Sequence, residues 1–241
     1  MLHIFDNADT LIQQQADFIV TAARDAIAKR GHFSLVLSGG SSPKKLYTLL
    51  SSPAYADKID WPKVYFFLGD ERYVPLNHAD SNFLMASQSL FTPLNIGGHQ
   101  LFPVNTALTP PQAAQAYQRD IENFFGDKPR QFDLVLLGLG DDAHTASLFP
   151  HTTVLHEKTA LVKEIYIDKV SMFRITLTAP LINQAHNISF LLFGASKAPA
   201  VHSIIEGERN LDLYPAQLIK PAHGTLHWFM DNSAAQQLKL K

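Results

Sequence analysis

The sequence contains no cysteine. That absence excludes a disulfide framework, a thiolate zinc site and a cysteine nucleophile, and it fits a reducing compartment. Neither charge is in excess: 20 Lys+Arg stand against 22 Asp+Glu, a formal net charge of −2 at pH 7. This balance excludes the strongly basic surface of a general nucleic-acid binder and the high net charge of a disordered tail. Long hydrophobic runs are also missing, whereas a membrane span needs ~20 mostly apolar residues. The charge-free stretch from Ile175 to Ser196 is broken by Pro180, Asn183, Gln184, His186 and Asn187, and reads as two elements with a turn between them. The opening segment MLHIFDNADT has acids where a signal peptide needs a basic flank, so no targeting segment and a cytoplasmic location are expected.

What is present is a chain of 241 residues, 46% hydrophobic, enough for a sizeable core. No repeat or long linker interrupts it, so one domain over residues 1–241 is expected. Leu11, Ile12, Ile19, Ala23 and Ile27 form one stripe and predict a helix over 9–30, stopped by Gly31. Short apolar runs at Phe33–Leu37, Val64–Leu68 and Phe132–Leu137 predict strands. The last is apolar on both faces, as a central parallel strand is. Further strands are expected at 160–166, 173–178, 189–193 and 226–230. Helices are expected from Ser42 (N-cap) and Pro43, over 82–90, from Thr109-Pro110 to about Phe125, and over 196–205 and 231–238. The alternation predicts an α/β fold, a mostly parallel sheet with helices on both faces, whose ligands bind beyond the C-terminal strand ends.

Several loops lie at those ends. Ser38-Gly39-Gly40-Ser41-Ser42-Pro43 runs from a strand into a helix, where glycines permit close backbone approach and free N–H groups suit an anion; it also reads as an ordinary turn. Gly69-Asp70-Glu71-Arg72 offers polar ligand contacts or a surface salt bridge. Gly138-Leu139-Gly140-Asp141-Asp142-Ala143-His144 imitates a dinucleotide fingerprint, but two adjacent aspartates would repel a pyrophosphate. His144 with Asp142 two residues earlier suits acid–base work instead: imidazole accepts protons near neutral pH, and a carboxylate fixes its tautomer. The bland reading makes Asp142 the N-cap of a short helix and His144 an exposed residue on it.

Arg174 enters an otherwise uncharged strand and Lys197 follows a strand end, so each is a candidate anion ligand; an internal carboxylate would serve Arg174 equally well. Gly194-Ala195-Ser196-Lys197-Ala198 imitates a nucleophile elbow, with Asp212 and His223 or His227 completing a triad, but too few residues follow Ser196 for that fold. Among 11 histidines, the pairs His223/His227 and His151/His156 have no third ligand in sequence, so no metal site is expected.

Four blocks taken together resemble the 6-phosphogluconolactonase family, within the superfamily that also holds glucosamine-6-phosphate isomerases and deaminases. They are LSGGSSPKKLY (37–47), FLGDERYVP with the later SN (67–75, 81–82), FDLVLLGLGDDAHTASLFP (132–150), and RITLTAPLIN (174–183) leading to FLLFGASKA (190–198). The resemblance spans nearly the whole chain. It implies a Rossmann-like fold and hydrolysis of 6-phospho-D-glucono-1,5-lactone, in the oxidative pentose phosphate pathway, with His144 as general base and Asp142 orienting it. It further implies that Arg174 and Lys197 hold the phosphate with help from Arg72, that Gly39, Gly40, Ser41 and Asp70 contact substrate, and that no cofactor is needed. The expected partner is the phosphorylated lactone alone, with no nucleic acid and no membrane, acting on a monomer or weak homo-oligomer.

The deaminases of the superfamily carry an acid five residues after the histidine, where this chain has Phe149, and usually Asp-Glu-Tyr where it has Asp70-Glu71-Arg72. Both departures favour the lactonase over a sugar-phosphate isomerase or deaminase. A non-catalytic sugar-phosphate sensor would keep the loops without needing Asp142 and His144. The family pattern Asp-Gly-His reads Asp142-Ala143-His144 here. With Asp142 as an N-cap, Ala143 is expected at negative φ.

Overall fold

The computed structural model describes residues 1–239. The chain starts with a short strand, β1 (Leu2–Phe5), and the helix α1 (Ala8–Arg30). Asn7 caps α1 by accepting from Thr10 N–H at 2.9 Å, and Gly31 ends it at φ +79°. There follow β2 (Phe33–Leu37), α2 (Ser41–Leu50), β3 (Val64–Leu68), β4 (Asp70–Arg72), α3 (Asn82–Ala86) and α4 (Pro110–Phe125). The remainder comprises β5 (Leu134–Leu137), β6 (Val162–Ile167), β7 (Met172–Leu177), α5 (Ala179–Ile182), β8 (Asn187–Leu192), α6 (Ala198–Ile205), β9 (Thr225–Asp231) and α7 (Asn232–Ala235).

Six strands form a parallel sheet in the order β1-β9-β8-β5-β2-β3. Its two faces are both buried, and the alternation along each strand sorts side chains between them. Leu35, Leu134 and Leu136 pack with Leu11, Ile19 and Ala23 of α1. Val36, Val135 and Phe67 point the other way, toward Tyr117 and Ile121 of α4. The chain thus has the expected Rossmann-like architecture of a mostly parallel sheet between helices.

Two strands do not join this sheet as the alternation predicts. β7 pairs antiparallel with β6 on one side and with β4 on the other, in a separate three-stranded sheet of order β4-β7-β6. The physical reason is connector length: residues 168–171 suffice for a hairpin, whereas a parallel crossover needs about a dozen or more. Three helical boundaries also differ. α2 begins at Ser41, with Gly40 rather than Ser42 as N-cap, because Gly40 adopts φ +109° and lets the chain turn two residues earlier. A 3₁₀ turn, Ala195–Lys197, precedes α6, and α7 ends at Ala235.

One polar feature lies inside the central run. Asp133, just before β5, is buried and accepts from Ser34 N–H at 2.7 Å and Ser34 Oγ at 2.8 Å, with Arg30 as its counter-ion. These bonds compensate the burial of its charge and lock β5 beside β2. At the opposite, C-terminal ends, two buried tyrosines clasp the backbone where the loops begin. The Tyr47 hydroxyl accepts from Ser38 N–H and donates to Ser38 C=O, both at 2.9 Å. The Tyr117 hydroxyl does the same for Leu68, at 2.7 and 3.0 Å. Burial pushes both phenols well above their ordinary pKa, so they stay neutral donors.

Candidate active site

A cavity of about 220 Å³ opens at the C-terminal ends of the parallel strands. It is lined by the loop after β2 (38–43), by Asp70 and Arg72, by Gly138–Gly140 and His144 after β5, and by Lys197 after β8. The structure therefore brings Gly39, Gly40, Ser41, Asp70, Arg72, His144 and Lys197 to one place. Asp142 and Arg174 are not among its lining residues: Asp142 bonds to His144, and Arg174 lies opposite Arg72 in the small sheet.

The loop after β2 presents backbone. Gly40 takes the positive φ that starts α2, and no side chain caps the helix, leaving its first N–H groups toward the cavity. Gly39 is needed for space, because a Cβ there would overlap the side-chain amide of Asn82. Asn82 donates from Nδ2 to Asp70 C=O at 2.9 Å.

The loop after β5 presents side chains, and it is not the short helix that an Asp142 N-cap would open. Ala143 sits at φ +62° and Ala146 at +47°. The expectation of negative φ at Ala143 is therefore overturned. The chain turns back on itself: Gly140 N–H donates to His144 C=O at 2.8 Å, and Ala143 N–H donates to Gly140 C=O at 3.0 Å. Ala216 N–H in turn donates to Ala143 C=O at 3.1 Å. This tight return, not helix capping, drives Ala143 into the left-handed region. Its methyl is buried in the core behind the cavity.

The return brings His144 Nδ1 to 2.5 Å from Asp142 Oδ1. That hydrogen bond is the main cause holding the Asp142 carboxyl far below the usual carboxylate range. With Nδ1–H donated to Asp142, Nε2 carries the lone pair. Phe149 stacks on the imidazole with ring centroids 3.9 Å apart and planes within 18°. Gly140 makes this packing possible: a Cβ there would overlap the His144 ring and stand 2.7 Å from Asp142 Oδ1. From the hairpin between β6 and β7, Lys169 Nζ reaches Asp142 Oδ2 at 3.2 Å.

The small sheet supplies the arginines. Arg72 on β4 lies directly opposite Arg174 on β7, so both side chains share one face. Like charges in that register repel, and burial is the main cause lowering the Arg174 guanidinium pKa. Arg174 Nε and Nη1 are buried with no hydrogen-bond partner among the described residues. Arg72 donates from Nη1 to Asp80 C=O at 2.7 Å. Next to Arg72 in sequence, Glu71 is fully buried, and desolvation raises its pKa. Its carboxylate accepts from the N–H groups of Arg72, Asn82 and Phe83 and from Ser81 Oγ, at 2.7–3.0 Å. Asp70 is a brace: Oδ2 accepts from Ser147 Oγ at 2.6 Å, and Oδ1 faces Asn82 Nδ2 at 3.3 Å. Lys197 Nζ lies 2.7 Å from Asp141 Oδ1.

Sequence reasoning missed Asn82, Phe149 and Lys169 as neighbours of the dyad or of its loops. Asn82 stood in the quoted SN pair without a role; nothing local pointed to Lys169. The elbow triad is not assembled: the partner of His227 is His3, at 3.1 Å, and that of Asp212 is His156, at 3.5 Å. Among the described residues no three His, Asp or Glu side chains converge as metal ligands. No helix among them is long and apolar enough to cross a membrane.

A ligand cavity beyond the strand ends, with a titratable dyad on the central loop, is the plan of Rossmann-like α/β enzymes. More narrowly, the chain belongs to the glucosamine-6-phosphate isomerase/6-phosphogluconolactonase family, whose model matches residues 6–228. It is 41% identical over 238 residues to the 6-phosphogluconolactonase of Synechocystis sp., covering 97% of this chain and 96% of that one. A second 6-phosphogluconolactonase, from Nostoc sp., is 37% identical and covers 99% and 98%. Among solved structures, a 6-phosphogluconolactonase from Shewanella baltica superposes with a TM-score of 0.85 at 30% identity, covering 96% of this chain and 97% of that one. The 6-phosphogluconolactonase from Trypanosoma cruzi gives 0.89 at 26% identity, with 99% and 97% covered.

Proposed function

We propose that the chain hydrolyses 6-phospho-D-glucono-1,5-lactone to 6-phospho-D-gluconate, the lactonase step of the oxidative pentose phosphate pathway. The observation that carries the mechanism is the His144–Asp142 pair, 2.5 Å apart at the end of a central strand and facing a cavity rich in anion-binding groups. Relatives matched over nearly their whole length carry the lactonase name.

In this reading His144 Nε2 takes a proton from water as the water oxygen bonds to C1. Asp142 holds the imidazole in the right tautomer and stabilises the imidazolium. The N–H groups around Gly39–Ser41 donate hydrogen bonds to the carbonyl oxygen as negative charge develops on it. The bond from C1 to the ring oxygen then breaks, and His144 returns its proton to that oxygen. Arg174, with its unpaired buried N–H groups beside Arg72, and Lys197 hold the 6-phosphate. Arginine suits this task because its fork donates parallel hydrogen bonds. Phosphate binding sits away from C1 and serves to position the reacting carbon. Phe149 stands where an isomerase or deaminase of the superfamily has an acid, and its ring covers the imidazole.

The test generates the lactone in situ and follows its decay with and without protein. Accelerated decay, with no ammonia released from glucosamine-6-phosphate, is expected. Decay at the spontaneous rate contradicts the proposal.

A further inference from the structure

Three carboxylates surround the cavity, and they are not held alike. Asp70 has one oxygen on Ser147 and the other toward Asn82. Asp142 has one oxygen on His144 and the other on Lys169. Asp141 has a single partner among the described residues, Lys197 Nζ at 2.7 Å, through one oxygen only. The pair is lopsided in a second way. The Lys197 side chain is 26% exposed and lines the cavity, whereas Asp141 is 71% exposed and does not. The ammonium therefore stands between a solvent-facing carboxylate on one side and the ligand space on the other.

We propose that Asp141 sets the affinity of the phosphate site by acting as an internal competitor for the substrate's phosphate: it occupies Lys197 in the free protein, and only a strongly charged anion displaces it. The inference rests on the reading of Lys197 as a phosphate ligand. Its physics is an exchange of partners. The Asp141 carboxylate returns to water at small cost because most of it is already hydrated. Lys197, the more buried member, keeps an anionic partner throughout, so its desolvation never goes uncompensated. A phosphate dianion brings twice the charge of a carboxylate and three acceptor oxygens, and wins the exchange; a neutral hydroxyl or a weak monoanion does not. The opposing contact moderates how tightly the phosphate is held, so that substrate and product phosphates bind more weakly than Lys197 alone would hold them.

Asp141→Asn keeps the shape and removes the charge. It is expected to lower KM for the phosphorylated lactone and Ki for inorganic phosphate by about 2- to 5-fold, the worth of a largely exposed ion pair. Asp141→Ser, which also lacks the carboxylate, should do the same, and Asp141→Glu should restore the wild-type values. In a Lys197→Ala background, where KM is already raised, Asp141→Asn should change nothing. Thermal unfolding of each variant separates these effects from loss of fold, and the serine variant serves if the asparagine variant does not fold. If Lys197→Ala raises KM but neither Asp141 variant lowers it, Asp141 is only a tether and the proposal is overturned while the phosphate reading stands. A rise in KM on removing Asp141 also overturns it, since the carboxylate would then be orienting Lys197 for phosphate. If Lys197→Ala leaves KM and Ki unchanged, the phosphate reading of Lys197 fails and takes the proposal with it.

Discussion

Two glycine-containing loops leave neighbouring parallel strands, β2 and β5, and they do opposite things. The first, Ser38–Ser42, runs straight into a ten-residue helix and offers backbone N–H groups. The second, Gly138–Pro150, forms no helix and folds back through two left-handed alanines, so that what it offers is an imidazole backed by a carboxylate. Glycine has a different task in each. Gly40 supplies a positive φ and Gly39 makes room for Asn82; Gly140 makes room for the His144 ring. Similar compositions at equivalent strand ends thus yield a holding loop and a reacting loop. What separates them is whether the first residues after the glycines can continue as a helix.

The sharpest break in this comparison is His144→Ala, which removes the reacting group and should lower the catalysed rate by ~10²–10⁴. Gly140→Ala leaves the dyad residues in place but drives a methyl into the imidazole. A rate loss of roughly 10²-fold is expected, the usual result of a misplacement of about 1 Å. Near-full activity would show that the close packing of Gly140 on His144 is irrelevant. On the holding side, Arg174→Ala should weaken the phosphorylated lactone by ~1.5–3 kcal/mol, roughly tenfold to a hundredfold, and the unphosphorylated lactone far less. Equal losses on both would assign Arg174 to the fold.

A pH effect on stability arises far from both loops. His227 on β9 is buried against His3 and Phe229; desolvation first, then the His3 charge and the N-terminal ammonium, push its pKa down to about 4. The neutral ring is the one the fold accepts, so the unfolded chain takes up this proton first. Stability from this site is complete above the unfolded value of ~6.5 and is lost progressively as pH falls toward the lowered value. His227→Phe should flatten that slope in denaturant titrations while leaving the slope of activity with pH unchanged.

The smallest effect is expected at Ala143. A glycine there relieves ~1–2 kcal/mol of left-handed strain. It also forfeits a buried methyl, ~0.8 kcal/mol, and adds freedom to the unfolded chain, ~0.4–1 kcal/mol. These oppose one another, so Ala143→Gly should move stability by less than about 1 kcal/mol, read from denaturation midpoints. A large gain in activity would show that the alanine methyl shifts His144 from its working position.

Much of this was legible beforehand, for local reasons. The stripe of α1 and its Gly31 stop, the both-faces-apolar run of β5 and the His144–Asp142 spacing are short-range signals. The lone charge in the β7 segment likewise marked Arg174. The antiparallel pairing of β6 with β7 went unread, although the connector between them is too short for a crossover. Other features depend on contacts between distant residues. Arg72 opposite Arg174, Lys169 on Asp142 and Asn82 on Gly39 join segments that no periodicity links. The geometry of Ala143 misled for a definite reason. Asp-x-His after a strand has the composition of a helix cap, and the hydrogen bonds that reverse the chain there reach to Gly140 and Ala216.

The division of labour between the two loops is tested most directly by measuring two quantities on His144→Ala: kcat for the phosphorylated lactone and Kd for the product, 6-phosphogluconate. The account predicts that kcat falls by ~10² or more while Kd stays within about twofold of wild type. A variant that keeps its kcat, or whose loss of rate is matched by an equal loss of product affinity, would contradict it.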